Sequence, residues 1–121
     1  MCLSSVKEVR KSNKETIKGF KVLAFKKGLL ITADHEFVLH LDKWNKAKGR
    51  FIKDWEGERK YPAGFHIWTT KLAAENWTYV DEDLVVPVIG RNIRVIGVQN
   101  NRKVYVCKEL FVDSKDLPKS V

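Results

Sequence analysis

The chain has 121 residues, 44% of them hydrophobic, with six Phe, four Trp and three Tyr, and a formal charge of +8 from 23 Lys and Arg against 15 Asp and Glu. That length suits one core and that composition excludes a disordered chain. The longest uncharged apolar stretch, Leu84 to Gly90, is far below the roughly 20 residues of a membrane-spanning helix, and the Lys-studded first thirty residues lack a signal-peptide core, so a cytoplasmic protein is expected.

From Ser4 to Lys18 apolar side chains come only at wide intervals (Val6, Val9, Ile17), which predicts that residues 1–18 are a basic, loosely ordered arm. Gly19–Lys27 reads as a strand with Phe20, Val22 and Ala24 on one face and Lys21, Leu23 and Phe25 on the other; Gly28 turns it into a partner strand, Leu29–Thr32. Phe37–Leu41 alternates as a further strand, turned by Asp42-Lys43. The charged segment Lys43–Gly57 is expected as short strands and loops with Trp44, Phe51, Ile52 and Trp55 turned inward. Tyr61-Pro62-Ala63-Gly64 is turn chemistry leading to a strand Phe65–Trp68, in which Phe65 and Ile67 face one way and His66 and Trp68 the other.

Thr69 or Thr70 can cap a helix over Lys71–Trp77 whose apolar side includes Leu72 and Ala73. Leu84–Ile89 reads as an edge or bulged strand because Pro87 donates no hydrogen bond. Ile93–Val98 and Lys103–Val112 read as a hairpin across Gln99-Asn100-Asn101-Arg102. Residues 114–121 read as a tail. The expected fold is one strand-rich α+β domain over 19–113, with six to eight mostly antiparallel strands and one helix.

Charge is unevenly distributed. Residues 1–30 carry eight basic against two acidic side chains, 31–60 seven against six, 61–90 one against four, and 91–121 seven against three. If the two ends share a sheet, one face is basic, which favours an anionic partner such as a nucleotide or nucleic acid.

Three places carry a resemblance: Met1-Cys2-Leu3; Tyr61-Pro62-Ala63-Gly64-Phe65-His66 with Ala73 or Ala74 after it; and Gly97-Val98-Gln99 with Val104-Tyr105-Val106-Cys107-Lys108-Glu109. Together with Gly19-Phe20-Lys21-Val22 and Lys43-Trp44, they are similar to a group of small bacteriophage and prophage proteins of uncharacterised function. The resemblance implies a phage origin, expression in the bacterial host cytosol and a role in counteracting host defence. It brings no catalytic residues with it.

The chemistry-bearing residues narrow the classes further. His35, His40, His66, Cys2 and Cys107 lack any metal-ligand spacing, and both cysteines are expected as free thiols. No phosphate-binding glycine loop, dinucleotide fingerprint or nucleophile elbow occurs, so no cofactor is expected. An amino-terminal Cys2 nucleophile would be possible after removal of Met1, but that chemistry belongs to far larger folds. The segment Gly64–Thr70 is loosely similar to ADP-ribosyl-transfer folds, with Glu109 the one acidic candidate. Four tryptophans, Trp44, Trp55, Trp68 and Trp77, are interleaved with Lys43, Lys46, Arg50, Lys53 and Lys71, a mixture suited to stacking and phosphate attraction.

The sequence therefore predicts a non-enzymatic protein, monomeric or homo-oligomeric, that sequesters a small anionic nucleotide-like ligand. His66 and Trp68 would serve the base or ribose, and Arg91 and Arg94 the phosphate. A nucleic-acid-binding or protein-blocking module is the alternative, distinguished by its stronger salt dependence.

Overall fold

A computed structural model describes residues 3–26, 28–32, 37–48, 51–53, 60–78, 83–99 and 101–117, with the backbone alone described for 51–53 and 60. The strands in chain order are β1 Ser5–Val9, β2 Thr16–Lys26, β3 Leu29–Thr32, β4 Val38–Leu39, β5 Trp44–Lys46, β6 Phe51–Lys53, β7 Lys60–Pro62, β8 Phe65–Trp68, β9 Leu84–Gln99 and β10 Arg102–Phe111. A single α-helix among the described residues, α1, spans Lys71–Glu75, and a 3-10 turn covers Ser114–Asp116. The expectation of an α+β mixture is met coarsely: the fold is mostly β, an antiparallel sheet of eight strands with one short helix. No helix among the described residues is long and apolar enough to cross a membrane.

The sheet runs β1-β9-β10-β8-β2-β3-β4, with β5 on the far end of β10, while β6 and β7 form a separate two-stranded ribbon. Because β2 also pairs with β9 along Thr16–Leu23 and meets β8 at Phe20–Trp68, the strands β2, β9, β10 and β8 close into a ring. Closure depends on Gly19: a Cβ there would lie 2.5 Å from the Trp68 carbonyl oxygen and 2.5 Å from Ile67 Cγ2.

Strand alternation then divides the apolar side chains between two cores. Leu23, Phe65, Ile67, Val86, Val88, Ile93, Cys107 and Leu110 fill the inside of the ring, with Leu30 and Leu39 extending it. On the opposite face Val22, Trp68, Val95, Val104 and Val106 pack under Leu3, Tyr61 and the alanines of α1. The helix starts where Thr70 Oγ1 accepts from Ala73 N, and it buries Ala73 and Ala74. Leu72, expected on the packed side, is exposed, because the two alanines let this one-turn helix lie close on its small side.

Three boundaries differ from expectation. Residues 3–17 are not a loose arm: β1 pairs with Val95–Val98 of β9, Leu3 is fully buried, and β2 already begins at Thr16. Polar contacts hold this segment and leave no apolar signature. Arg10 N donates to Arg94 O (2.7 Å), Arg94 Nε to Arg10 O (2.9 Å), Asn13 N to Asn92 Oδ1 (3.0 Å) and Asn13 Nδ2 to Ile93 O (2.8 Å).

The second difference is that Leu84–Ile89 and Ile93–Val98 form one sixteen-residue strand, β9. Pro87 is exposed opposite Phe20, and Asn92, at φ 62°, sits beside a register slip that leaves Arg94 without a counterpart on β10. Asn tolerates that left-handed backbone, so the strand bends without ending. The third difference is at the carboxyl end, where Asp113 caps the 3-10 turn and Leu117 packs on the inner core; residues 118–121 lie outside the described set. The expected turn at Gly28 (φ 78°) and the β9–β10 hairpin, with Asn101 at φ 59° in its loop, are both present.

Candidate functional site

The segment from Phe37 to Lys48 turns back on itself around one buried amide. Asn45 Oδ1 accepts from His40 N (2.8 Å), and its Nδ2 donates to the carbonyls of His40 (3.0 Å), Lys43 (3.2 Å) and Leu110 (3.2 Å). Asp42 makes the corner at φ 59°; its N–H donates to Val112 O (2.9 Å) and its carboxylate accepts from Ser114 N (3.0 Å). The Ser114 bonds hold the Asp42 carboxyl below the usual carboxylate range. A short polar loop is thus pinned to β10, and its longer side chains stand out from the fold.

Those side chains line an open groove of about 440 Å³: Phe37, Val38, His40, Lys43, Trp44, Lys46 and Lys48, with Asn45 beneath. The three lysines are exposed. The aromatics are fixed by packing, Phe37 edge-on to Phe65 (5.4 Å between centroids) and Trp44 tilted on Phe111 (5.4 Å). Lys48 Nζ lies 6.0 Å from the Phe37 ring centroid.

Arg91 flanks the groove. Its guanidinium carbon lies 4.1 Å from the Trp44 ring centroid, and Nε and Nη2 donate to Glu109 Oε2 (3.0 Å) and Oε1 (2.7 Å). These bonds hold the Glu109 carboxyl below its ordinary range and raise Arg91 above its own. Lys46 stands directly across from Glu109 in the β5–β10 pairing. The arrangement presents cations beside rigid aromatic rings, the combination that meets phosphate and a planar base together.

The four residues assigned to a ligand from sequence are not brought together. His66 is 3% exposed; its Nε2 lies 3.1 Å from the Tyr61 hydroxyl, which accepts from Leu3 N (3.0 Å). Trp68 is 0% exposed and stacks on Trp77 at 5.7 Å. Trp68 belongs to the second core and His66 meets Tyr61 of that core, on the face that strand alternation assigns them. Arg91 joins Trp44 and Glu109. Arg94 is engaged with Arg10; burial, and after it the Arg94 charge, pushes the Lys108 ammonium down.

Cys107 is buried in the inner core, where loss of solvent pushes its thiol up to about 12. Lys21, on the same strand face as Leu23, is also buried and donates to His66 O (2.8 Å). Cys2, His35, Arg50 and Trp55 fall outside the described residues. Among the groove residues, Trp44, Lys43 and Lys46 carried a signal in the tryptophan–lysine interleaving. Phe37, His40, Lys48 and the organising role of Asn45 carried none, because only the pairing of β5 with β10 gathers them.

The chain matches no protein-family model, and comparisons with curated proteins and with solved structures find no match either.

Proposed function

We propose that this is a non-enzymatic binding protein that sequesters a small anionic, nucleotide-like ligand, and that the ligand lies in the groove between Phe37 and Lys48. One observation carries the reading: three exposed lysines converge on a groove walled by Phe37 and Trp44, with Arg91 held against Trp44. Phosphate is met by point charges on flexible stems, and a base has aromatic edges and faces to pack on. The resemblance to phage proteins supplies the setting, in which the ligand is a signal used by host defence. On this reading His66 and Trp68 support the fold behind the site, and Arg91 is the member of the sequence-derived set that serves the ligand.

The open side of the groove favours a second reading, a single nucleic-acid strand passing through it. Salt separates the two. Titration of adenosine monophosphate and of a short single-stranded oligonucleotide, each at two salt concentrations, is the test. The sequestration reading expects the mononucleotide to bind with a shallow salt dependence and Lys43→Ala/Lys48→Ala to abolish that binding. Binding confined to the oligonucleotide, with a steep salt slope, would favour the strand. Conversion of the nucleotide to a new product would overturn the non-enzymatic reading.

A further inference from the structure

The side-on pairing of Arg91 with Glu109 does more than neutralise a charge. Nε and Nη2 make the two bonds to the carboxylate, and the Trp44 ring holds the guanidinium from its face. Among the described residues no bond is made by Nη1, so the guanidinium keeps its end-on edge, and that edge is held in one orientation. An arginine gripped in this way has little rotamer freedom left to lose when an oxyanion arrives. Lys46, opposite Glu109 on β5, brings a second cation to the same face and also lines the groove.

We infer that Arg91 and Lys46 form a phosphate subsite at the flank of the groove, and that the ligand class is a nucleoside diphosphate rather than a monophosphate. The inference rests on the groove reading above and extends it. The charges agree: among the described residues, Lys43, Lys46, Lys48 and Arg91 against Glu109 leave three net positive charges, while the Asp42 carboxylate is turned to Ser114 N. A nucleoside diphosphate carries about three negative charges at neutral pH, its terminal group ionising near pH 6. The first phosphate takes Lys43 and Lys48, and the second takes Lys46 and the end-on edge of Arg91. Lysine at position 91 would keep the charge and lose both the fork and the stacking on Trp44.

The test is calorimetric titration of adenosine monophosphate and adenosine diphosphate, at one salt concentration, into the full chain and into Arg91→Lys, Lys46→Ala and Lys48→Ala, each checked for an unchanged circular dichroism spectrum. In the wild type the diphosphate is expected to bind about tenfold more tightly than the monophosphate, the size of one charge-assisted interaction. Arg91→Lys and Lys46→Ala should remove most of that difference, costing the diphosphate more affinity than the monophosphate, whereas Lys48→Ala should weaken both nucleotides alike. A tenfold preference that survives in Arg91→Lys, or no preference in the wild type while the monophosphate binds, overturns the subsite and leaves the groove reading standing. Failure of both nucleotides to bind the wild type overturns the two together.

Discussion

Replacing Asn45 with Ala removes the amide around which the groove loop is built. The side chain is 6% exposed and satisfies one backbone donor and three carbonyls. Loss of Oδ1 strands the part-buried His40 N–H, at a cost of up to about 1–3 kcal/mol. The carbonyls of His40 and Lys43 regain water more easily than that of Leu110, so the lost donations add about 1 kcal/mol net. A destabilisation of about 2–4 kcal/mol follows, which for a domain of this size lowers Tm by roughly 8–16 °C. Thermal unfolding followed by circular dichroism reads that shift, and titration below the new Tm reads the groove. Nucleotide affinity should fall at least as far as in Lys48→Ala, because Lys43 and Trp44 lose their anchor. A Tm change under about 2 °C with full binding would show that Asn45 does not organise the loop.

Three further expectations follow from the packing and the charges. Gly19→Ala forces a methyl against the Trp68 carbonyl where the ring closes, and should cost about 1–3 kcal/mol in denaturant unfolding; an unchanged midpoint would refute the close approach. Cys107 should resist alkylation at pH 8 in the folded protein and react on unfolding, as followed by peptide mapping, since its thiol is buried and pushed up to about 12; rapid native labelling would contradict its burial. Glu109, whose carboxyl is depressed chiefly by its Arg91 hydrogen bonds, contributes stability that is complete above the ordinary carboxylate pKa and is lost as pH falls through the lowered one. The stability gap between wild type and Glu109→Gln should therefore be full near pH 6 and close on acidification; a gap independent of pH would refute the pairing.

Much of the sheet was legible because its signals are local. Alternation in Phe65–Trp68, glycine at 28, Asn101 in the hairpin loop and the Thr70 cap each act within a few residues of where they are read. What escaped depends on partners far along the chain. β1 is held by backbone pairing to β9 and by the Arg10, Asn13 and Asn92 bonds, none of which leaves an apolar period. The gap expected between Ile89 and Ile93 vanishes because β2 pairs on through Gly90 and Arg91 and Asn92 absorbs the bend. The same holds at the site. Arg91 could be named from its chemistry, but its engagement with Trp44 and Glu109 required the registers of both β5 and β9 on β10. His66 looked suited to a ligand because a histidine between apolar residues reads alike whether its partner is a base or a buried tyrosine.

The most direct test of the groove is a nuclear magnetic resonance titration of the uniformly 15N-labelled protein with adenosine diphosphate. Shifts are expected to concentrate in the amides of Phe37–Lys48, the Trp44 indole N–H and the Arg91 Nε–H, with the indole N–H of Trp68 and the amides of Tyr61 and His66 unmoved. Shifts centred on Tyr61, His66 and Trp68, with the 37–48 segment silent, would contradict the groove reading.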